Sequence, residues 1–245
     1  MRIIDCQQGS VRWQMARLDI PTASCFDKIV TPRGRPVTGK ARNTYMMQLL
    51  AERITGEPTD HFESFDMRRG HELEPLARAE FSKVSGLEVH EVGFVLGDGE
   101  RWGASPDGLM FDDGLEIKCL NLNNHIKYLV GGTIPDEFYV QGIGEMWVCD
   151  RFEWTLYMYA DAKNVPNMAL KWEHDEAVVS ALEEQLPIFC DELDAAEDAL
   201  REKYDIPPRN VKPLTYYSND WCPFPGEDLT PEQLAAMPEM EGVDL

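Results

Sequence analysis

Asp107, Glu116 and Lys118 are the residues of this chain whose types and spacing could do chemistry together. They lie in "SPDGLMFDDGLEIKC", residues 105 to 119, fifteen positions holding four acidic side chains and one lysine. Side chains alternate faces along a strand, so Glu116 and Lys118 point to one side while Ile117 and Cys119 point to the other. The "DDG" at 112 to 114 has the composition of a hairpin turn, and a hairpin there brings Asp107 back towards Glu116. Two carboxylates and an ammonium then share one patch. Carboxylates so crowded repel one another unless a cation neutralises them. Mg²⁺ suits such a site, because it takes one or two carboxylates and completes its shell with water and phosphate oxygens. Asp107 and Glu116 therefore read as metal ligands, with the carbonyl oxygen of Ile117 available as another. Lys118 would orient or help deprotonate an attacking water and stabilise negative charge in a phosphorane-like transition state. Each motif alone has a plainer meaning: E-x-K on a strand is often a solvent-facing salt pair, and P-D-G is a frequent turn.

The flanking elements must position this patch. A short helix carrying Trp13, Met15 and Leu18 is predicted first, then a turn at Pro21 and a second helix opened by Thr22 or Ser24. A basic Gly/Pro loop follows over residues 31 to 40. The pattern predicts a helix over 41 to 55, ended by Gly56 and Pro58, and another over 66 to 82 that Pro75 should kink or restart. From Leu87 to Cys119 short β-rich segments separated by Gly/Asp turns predict consecutive antiparallel strands. "PDEFYVQGIGEMWVCD" reads as a helix despite its glycines, "EWTLYMYA" as a strand, and residues 173 to 204 as an amphipathic helix interrupted near Pro187. The tail from Asp205 reads as an extended, acidic, Pro-rich extension. The order of elements is α+β, a small curved mixed sheet flanked by helices, with one domain over residues 1–204 and an extension over 205–245.

The chain has 245 residues, 43% of them hydrophobic, enough for one sizeable core. No apolar run reaches the roughly 20 residues a bilayer span needs, and the N-terminus lacks a signal-peptide layout, so a cytoplasmic protein is expected. Six cysteines stand far apart without a C-x-x-C pair, which argues against a zinc ribbon or an iron–sulfur cluster and for reduced, mostly buried thiols. The net charge of −21 argues at first against a nucleic-acid partner, since phosphate binding is driven by Lys and Arg. The charge is uneven, however. Residues 175 to 203 hold ten acidic side chains against Arg201 and Lys203, while "TPRGRPVTGKAR" carries Arg33, Arg35, Lys40 and Arg42 with no acidic neighbour. Such a chain could present one basic surface to a polyanion and keep the rest acidic.

"PDG" followed by "EIK", with eight residues between Asp107 and Glu116, resembles the PD-(D/E)xK nuclease signature, and the flanks narrow the resemblance to the phage lambda exonuclease (YqaJ-type viral recombinase) family. "QGSVRWQMARLDIPTAS" resembles that family's Q-G-x-x-x-W and R-x-x-x-x-T-A-S motif, "RRGHELEPLAR" its G-x-x-x-E helix, "SPDGL" and "LEIKC" its catalytic hairpin, and "YVQGIGEMWV" its glutamine-bearing helix. These five landmarks stand in order across most of the first 150 residues.

The resemblance implies a restriction-endonuclease-like core and adds roles residue by residue. Glu74, four after Gly70, would be the helix carboxylate aimed at the metals, and Gln141 would contact the site or its nucleophile. Arg17 and Ser24 would hold a 5′-terminal phosphate, a role their chemistry suits: a bidentate fork, and a hydroxyl with helix N–H groups. Cys25 stands where relatives often have Glu. Trp13 reads as core. The implied activity is Mg²⁺-dependent 5′→3′ digestion of one strand of duplex DNA, through two metal ions with Mn²⁺ as a substitute. It would release 5′-mononucleotides and leave a 3′ overhang for a single-strand annealing protein. A homotrimeric ring is implied, with Arg33, Arg35, Lys40 and Arg42 near its channel, in a phage or prophage protein acting in a bacterial host. Two other readings remain at this stage: an endonuclease with the same core that cuts internally, and a non-catalytic DNA-binding scaffold for recombination.

Overall fold

The computed structural model describes residues 1–59, 65–209 and 211–219. It begins with strand β1 (Arg2–Ile4), helix α1 (Val11–Arg17), a six-residue 3-10 turn (Ala23–Lys28), α2 (Lys40–Thr55) and α3 (Phe65–Ser85). Strands β2 (Phe94–Leu96), β3 (Gly103–Ala104), β4 (Gly108–Leu109) and β5 (Asp113–Lys118) come next. Helices α4 (Leu122–Gly131) and α5 (Asp136–Val148), strands β6 (Glu153–Met158) and β7 (Met168–Trp172), and helix α6 (Glu176–Tyr204) complete the fold.

The strands form two sheets among the described residues. β1, β2 and β3 make a three-stranded antiparallel sheet, and β4-β5-β6-β7 make a four-stranded mixed one. In the second sheet β5 and β6 run parallel, Glu116 opposite Leu156 and Lys118 opposite Met158, which requires the α4–α5 crossover between them. This is the mixed, helix-flanked α+β arrangement the element order implies. The expectation of consecutive antiparallel strands from Leu87 to Cys119 is corrected: four short strands divide between two sheets, and residues 87–91 contribute one bridge, His90 to Leu109. Strand β1 was not anticipated, because three residues carry too little alternation to register.

Each face of the four-stranded sheet has its own cover. Leu115, Ile117 and Tyr157 pack with Leu73, Ala77 and Phe81 of α3 on one side. Trp154, Leu156 and Met158 pack on the other with α5, α6 and α2. Those contacts explain two helices that run on where proline suggested a break. α3 continues through Pro75 and α6 through Pro187, each with buried side chains on both sides of the proline. The packing outweighs the roughly 3 kcal/mol cost of an interior proline. α5 tolerates its glycines because it lies close to its neighbours: a Cβ on Gly142 would fall 2.2 Å from the Trp172 ring.

The hairpin between β4 and β5 turns at residues 110–113, closed by Met110 N–H donating to the Asp113 carbonyl, 2.9 Å. Gly114 is therefore a strand residue, not a turn residue. It lies opposite Trp154, whose ring fills the space a Cβ would need, 1.9 Å away. Gly114→Ala should lower stability by about 1–3 kcal/mol through overpacking, read from the urea midpoint at unchanged m-value.

Helix α6 ends at Tyr204, and the chain then returns along the molecule. The Ser218 carbonyl accepts from Arg12 N–H at 2.9 Å, and Asn219 Oδ1 accepts from Gln7 N–H at 2.7 Å. The first part of the expected extension thus packs on α1, and residues 220–245 lie outside the described residues.

Candidate active site

β5 lies between β4 and β6, and α5 covers the face that carries Glu116 and Lys118. Their face of β5 meets Gln141 and Glu145, one helical turn apart, in place of apolar side chains. Lys118 Nζ lies 2.5 Å from Glu116 Oε1 and donates to Gln141 Oε1 at 3.3 Å. Gln141 Nε2 donates to Glu116 Oε1 at 2.7 Å and to Glu145 Oε1 at 2.9 Å. Glu116 is 3% exposed and Glu145 1%. Both donor hydrogens of the Gln141 amide are committed to carboxylates, which leaves its oxygen to face the ammonium.

Asp107 enters from the loop between β3 and β4. Its Oδ2 accepts the Ile117 N–H at 2.6 Å, tying the P-D-G turn to the strand that carries Glu116. Gln8 Nε2 donates to the carbonyls of Val92 (2.9 Å) and Pro106 (2.8 Å), and the Trp13 indole N–H donates to Ser105 Oγ at 3.0 Å. The Q-G-x-x-x-W motif therefore braces the loop that presents Asp107. Glu74 approaches from α3, paired with Arg78 one turn later.

These groups line one cleft of about 1490 Å³, together with Arg17, Ser24 and Cys25. Arg17 lies over the Trp13 ring, 4.0 Å from guanidinium carbon to ring centroid. No hydrogen bond or ion pair engages it among the described residues, and burial pulls its pKa below the usual arginine value. Ser24 Oγ sits 3.2 Å from Thr22 Oγ1. The expected second helix is only the short 3-10 turn, whose N-cap Thr22 makes no side-chain cap bond, and Ser24 lines the same cleft as Arg17.

The electrostatics are those of acids crowded in a cleft. Burial, followed by Glu116 and Glu74, holds Asp107 well above the usual carboxylate range. Burial raises Glu74 as well, with Glu116 and Glu91 adding to it against Arg78. Burial and Glu116 push Glu145 well up, and its Oε2 has no hydrogen-bond partner. Burial alone would lower Lys118, but Glu116 and Asp107 more than reverse it, so the ammonium stays protonated.

Among the described residues no three His, Cys, Asp or Glu groups are gathered tightly enough to enclose a cation alone. The donor set nevertheless fits a hard divalent ion that keeps several waters or phosphate oxygens, since two carboxylates and a carbonyl suffice. The acids predict a pH dependence. For a carboxyl whose folded pKa is raised, the native state binds more protons than the unfolded one above the ordinary value, so stability falls as pH rises through that window. The metal-free protein should lose Tm on going from about pH 5 to about pH 9, by about 2–4 °C for each kcal/mol. Excess Mg²⁺ should recover the loss, shifting Tm more at the alkaline end. Equal metal shifts at both pH values in a thermal-melt series would contradict this.

Against this geometry, comparison with known proteins decides the family. Residues 12–152 match the YqaJ-like viral recombinase domain. The chain belongs to the YqaJ-like viral recombinase family. The structure of the alkaline exonuclease LHK-Exo from Laribacter hongkongensis is 32% identical, with a TM-score of 0.71 over 79% of this chain and 97% of that one. LHK-Exo in complex with dAMP matches equally, at 31% identity and a TM-score of 0.71 over the same shares. A phage-related exonuclease from Haemophilus somnus 129PT shares the fold at 12% identity and a TM-score of 0.54, over 81% of this chain and 97% of that one. Comparison with curated proteins finds no match. The viral recombinase family and the LHK-Exo match together make this chain a nuclease of the exonuclease type.

Within that family frame, the basic loop lies apart from the acidic cleft. Arg33, Arg35, Lys40 and Arg42 do not line the cleft. Arg42 donates to Glu192 of α6 at 2.7 Å and lies over Phe189, so it braces α2 against α6. Gly34 packs against the Ala177 carbonyl at the start of α6. Arg53 and Arg101 likewise answer Asp194, and Arg101 also Asp191. Part of the late acidic run is thus neutralised inside the fold. Glu145 and Arg78 were missed in the sequence, although each stands four residues after a residue already singled out, Gln141 and Glu74, the spacing that places two side chains on one helix face.

Proposed function

We propose that this protein digests one strand of duplex DNA from its 5′ end, with a divalent cation, most simply Mg²⁺, at Asp107 and Glu116. The observation that carries the proposal is the half-buried guanidinium of Arg17, stacked on Trp13 and without a hydrogen bond or ion pair among the described residues, in the same cleft as the acidic cluster. A guanidinium partly withdrawn from water and held in no ion pair among the described residues suits a terminal phosphate, and Ser24 adds a hydroxyl to the same cleft. That dAMP binds the relative LHK-Exo supports a nucleoside monophosphate as the product.

The residues divide the work. Asp107, Glu116 and the Ile117 carbonyl, with Glu74 from α3, would hold the cation or pair of cations; Mn²⁺ should serve as well. The cation would supply Lewis-acid charge and a more acidic water. Lys118, kept protonated by Glu116, donates; it orients the water and stabilises the developing negative charge, and is not the group that removes the proton. Gln141 holds Glu116 and Lys118 in register. Hydrolysis forms a bond from water oxygen to phosphorus and breaks the bond from phosphorus to the 3′ oxygen. The leaving nucleotide keeps its own 5′-phosphate, and the next one acquires a new 5′-phosphate. Each turnover regenerates the end group that Arg17 and Ser24 recognise.

The same reading extends to a ring of three chains around the duplex and a 3′ overhang passed to a single-strand annealing protein, both inferred from the resemblance of the motifs. Strand polarity is tested with linear duplex labelled at either the 5′ or the 3′ end. Label at the 5′ end should appear first and as mononucleotide. Early release of the 3′ label, or of oligonucleotides from internal positions, would replace the proposal with the opposite polarity or the endonuclease reading.

A further inference from the structure

Glu74 and Asp107 stand 33 positions apart in sequence on separate elements, yet both must face one cation if the proposed function holds. No hydrogen bond joins the two residues directly among the described contacts. A single side chain links them. Arg78, 9% exposed on α3, donates Nε–H to the Asp107 carbonyl at 2.8 Å. One terminal nitrogen pairs with Glu74 Oε1, and the other lies 2.9 Å from Glu91 Oε1 on the segment leading to β2.

We infer that Arg78 is the positioning residue that sets the spacing of the metal-binding carboxylates, clamping helix α3 to the P-D-G turn. This rests on the proposed metal site. The guanidinium suits the task because its donors lie in one rigid plane and reach three acceptors on three segments in fixed directions; a lysine ammonium offers a single point of charge on a flexible stem. All three nitrogens are committed, so Arg78 acts through Glu74 and Asp107 and not on DNA. Glu91 is largely exposed and holds the outer edge of the fork. Asp107 is then fixed twice: its carboxylate by the Ile117 N–H, its main chain by Arg78. Ligands held by such outer partners lose about 10–100-fold in metal affinity or activity when the partner is removed.

The test is calorimetric titration of the full chain with Mn²⁺ alone, without DNA, for wild type, Arg78→Lys, Glu91→Gln and Asp107→Asn, with Tm measured for each in the absence of metal. Wild-type binding that Asp107→Asn abolishes establishes the site on which the inference rests; Mn²⁺ binding unaffected by Asp107→Asn would remove that site, and the inference with it. Given the site, Arg78→Lys should weaken Mn²⁺ binding by about 10-fold or more, and Glu91→Gln by a smaller factor with an unchanged metal-free Tm. Addition of Glu74→Gln should shrink the effect of Arg78→Lys, because one of the clamped ligands is already lost. Wild-type Mn²⁺ affinity in Arg78→Lys would overturn the inference. Should Arg78→Lys not fold, Glu91→Gln decides it: weakened affinity supports the clamp, and unchanged affinity overturns it.

Discussion

Replacing Lys118 by alanine should lower the single-turnover rate of DNA cleavage by about 10²–10³-fold, the usual cost of one preorganised donor to a developing oxyanion. DNA binding should change little, because the ammonium is mostly withdrawn from solvent and paired with Glu116 and Gln141. Lys118→Arg should not restore the rate: a planar guanidinium spreads its charge over a fork and does not put a compact ammonium 3.3 Å from Gln141 Oε1 and 5.0 Å from the Phe138 ring. Removing the ammonium also takes the compensating positive charge from Glu116, so the metal-free Tm should fall, and excess Mg²⁺ should narrow that difference. Cleavage at the wild-type rate by folded Lys118→Ala would remove the lysine from the chemistry.

The second large effect concerns the end of the DNA. Wild type should prefer a 5′-phosphorylated terminus to a 5′-hydroxyl one. Arg17→Ala should abolish the preference, losing about 10²-fold on phosphorylated ends and little on hydroxyl ends, in keeping with about 2–5 kcal/mol for a buried charged contact. Arg17→Lys should recover only part, since it keeps the charge but not the planar fork or the stack on Trp13. The comparison is made as initial rates on two duplexes that differ only in the end group. Equal losses on both ends would make Arg17 a structural residue of the cleft.

How much of this could be read from the sequence depended on whether a residue's meaning was local. The alternation of β5 placed Glu116 and Lys118 on one face correctly, because period two is a backbone property. The helix over Asp136–Val148 was legible through its glycines because the polar and apolar positions kept helical spacing. Local signals failed where distant packing decided. Pro75 and Pro187 lie within continuous helices because β5 and the large core hold them there, and Gly114 serves Trp154 across the sheet instead of a turn. The two-sheet division could not be read either, since strands of two or three residues carry no pattern. In the site, the roles of Arg17, Ser24, Glu74 and Gln141 came from the resemblance alone. In the basic run "TPRGRPVTGKAR" sequence charge does not say what lies opposite each cation, and Glu192 lies opposite Arg42. Glu145 stayed unseen because one more acid in an acidic chain draws no notice until its burial is known.

The central claim is that the acidic cleft hydrolyses DNA only from an end. Its most direct test is digestion in Mg²⁺ of the same duplex as a 5′-phosphorylated linear molecule and as a covalently closed circle, with products resolved by length. The account predicts steady release of mononucleotides from the linear form, none from the circle, and loss of both signal and Mg²⁺ dependence in Asp107→Asn. Nicking or linearisation of the closed circle by wild type, absent in Asp107→Asn, would contradict it and assign the same residues to an internal cutter.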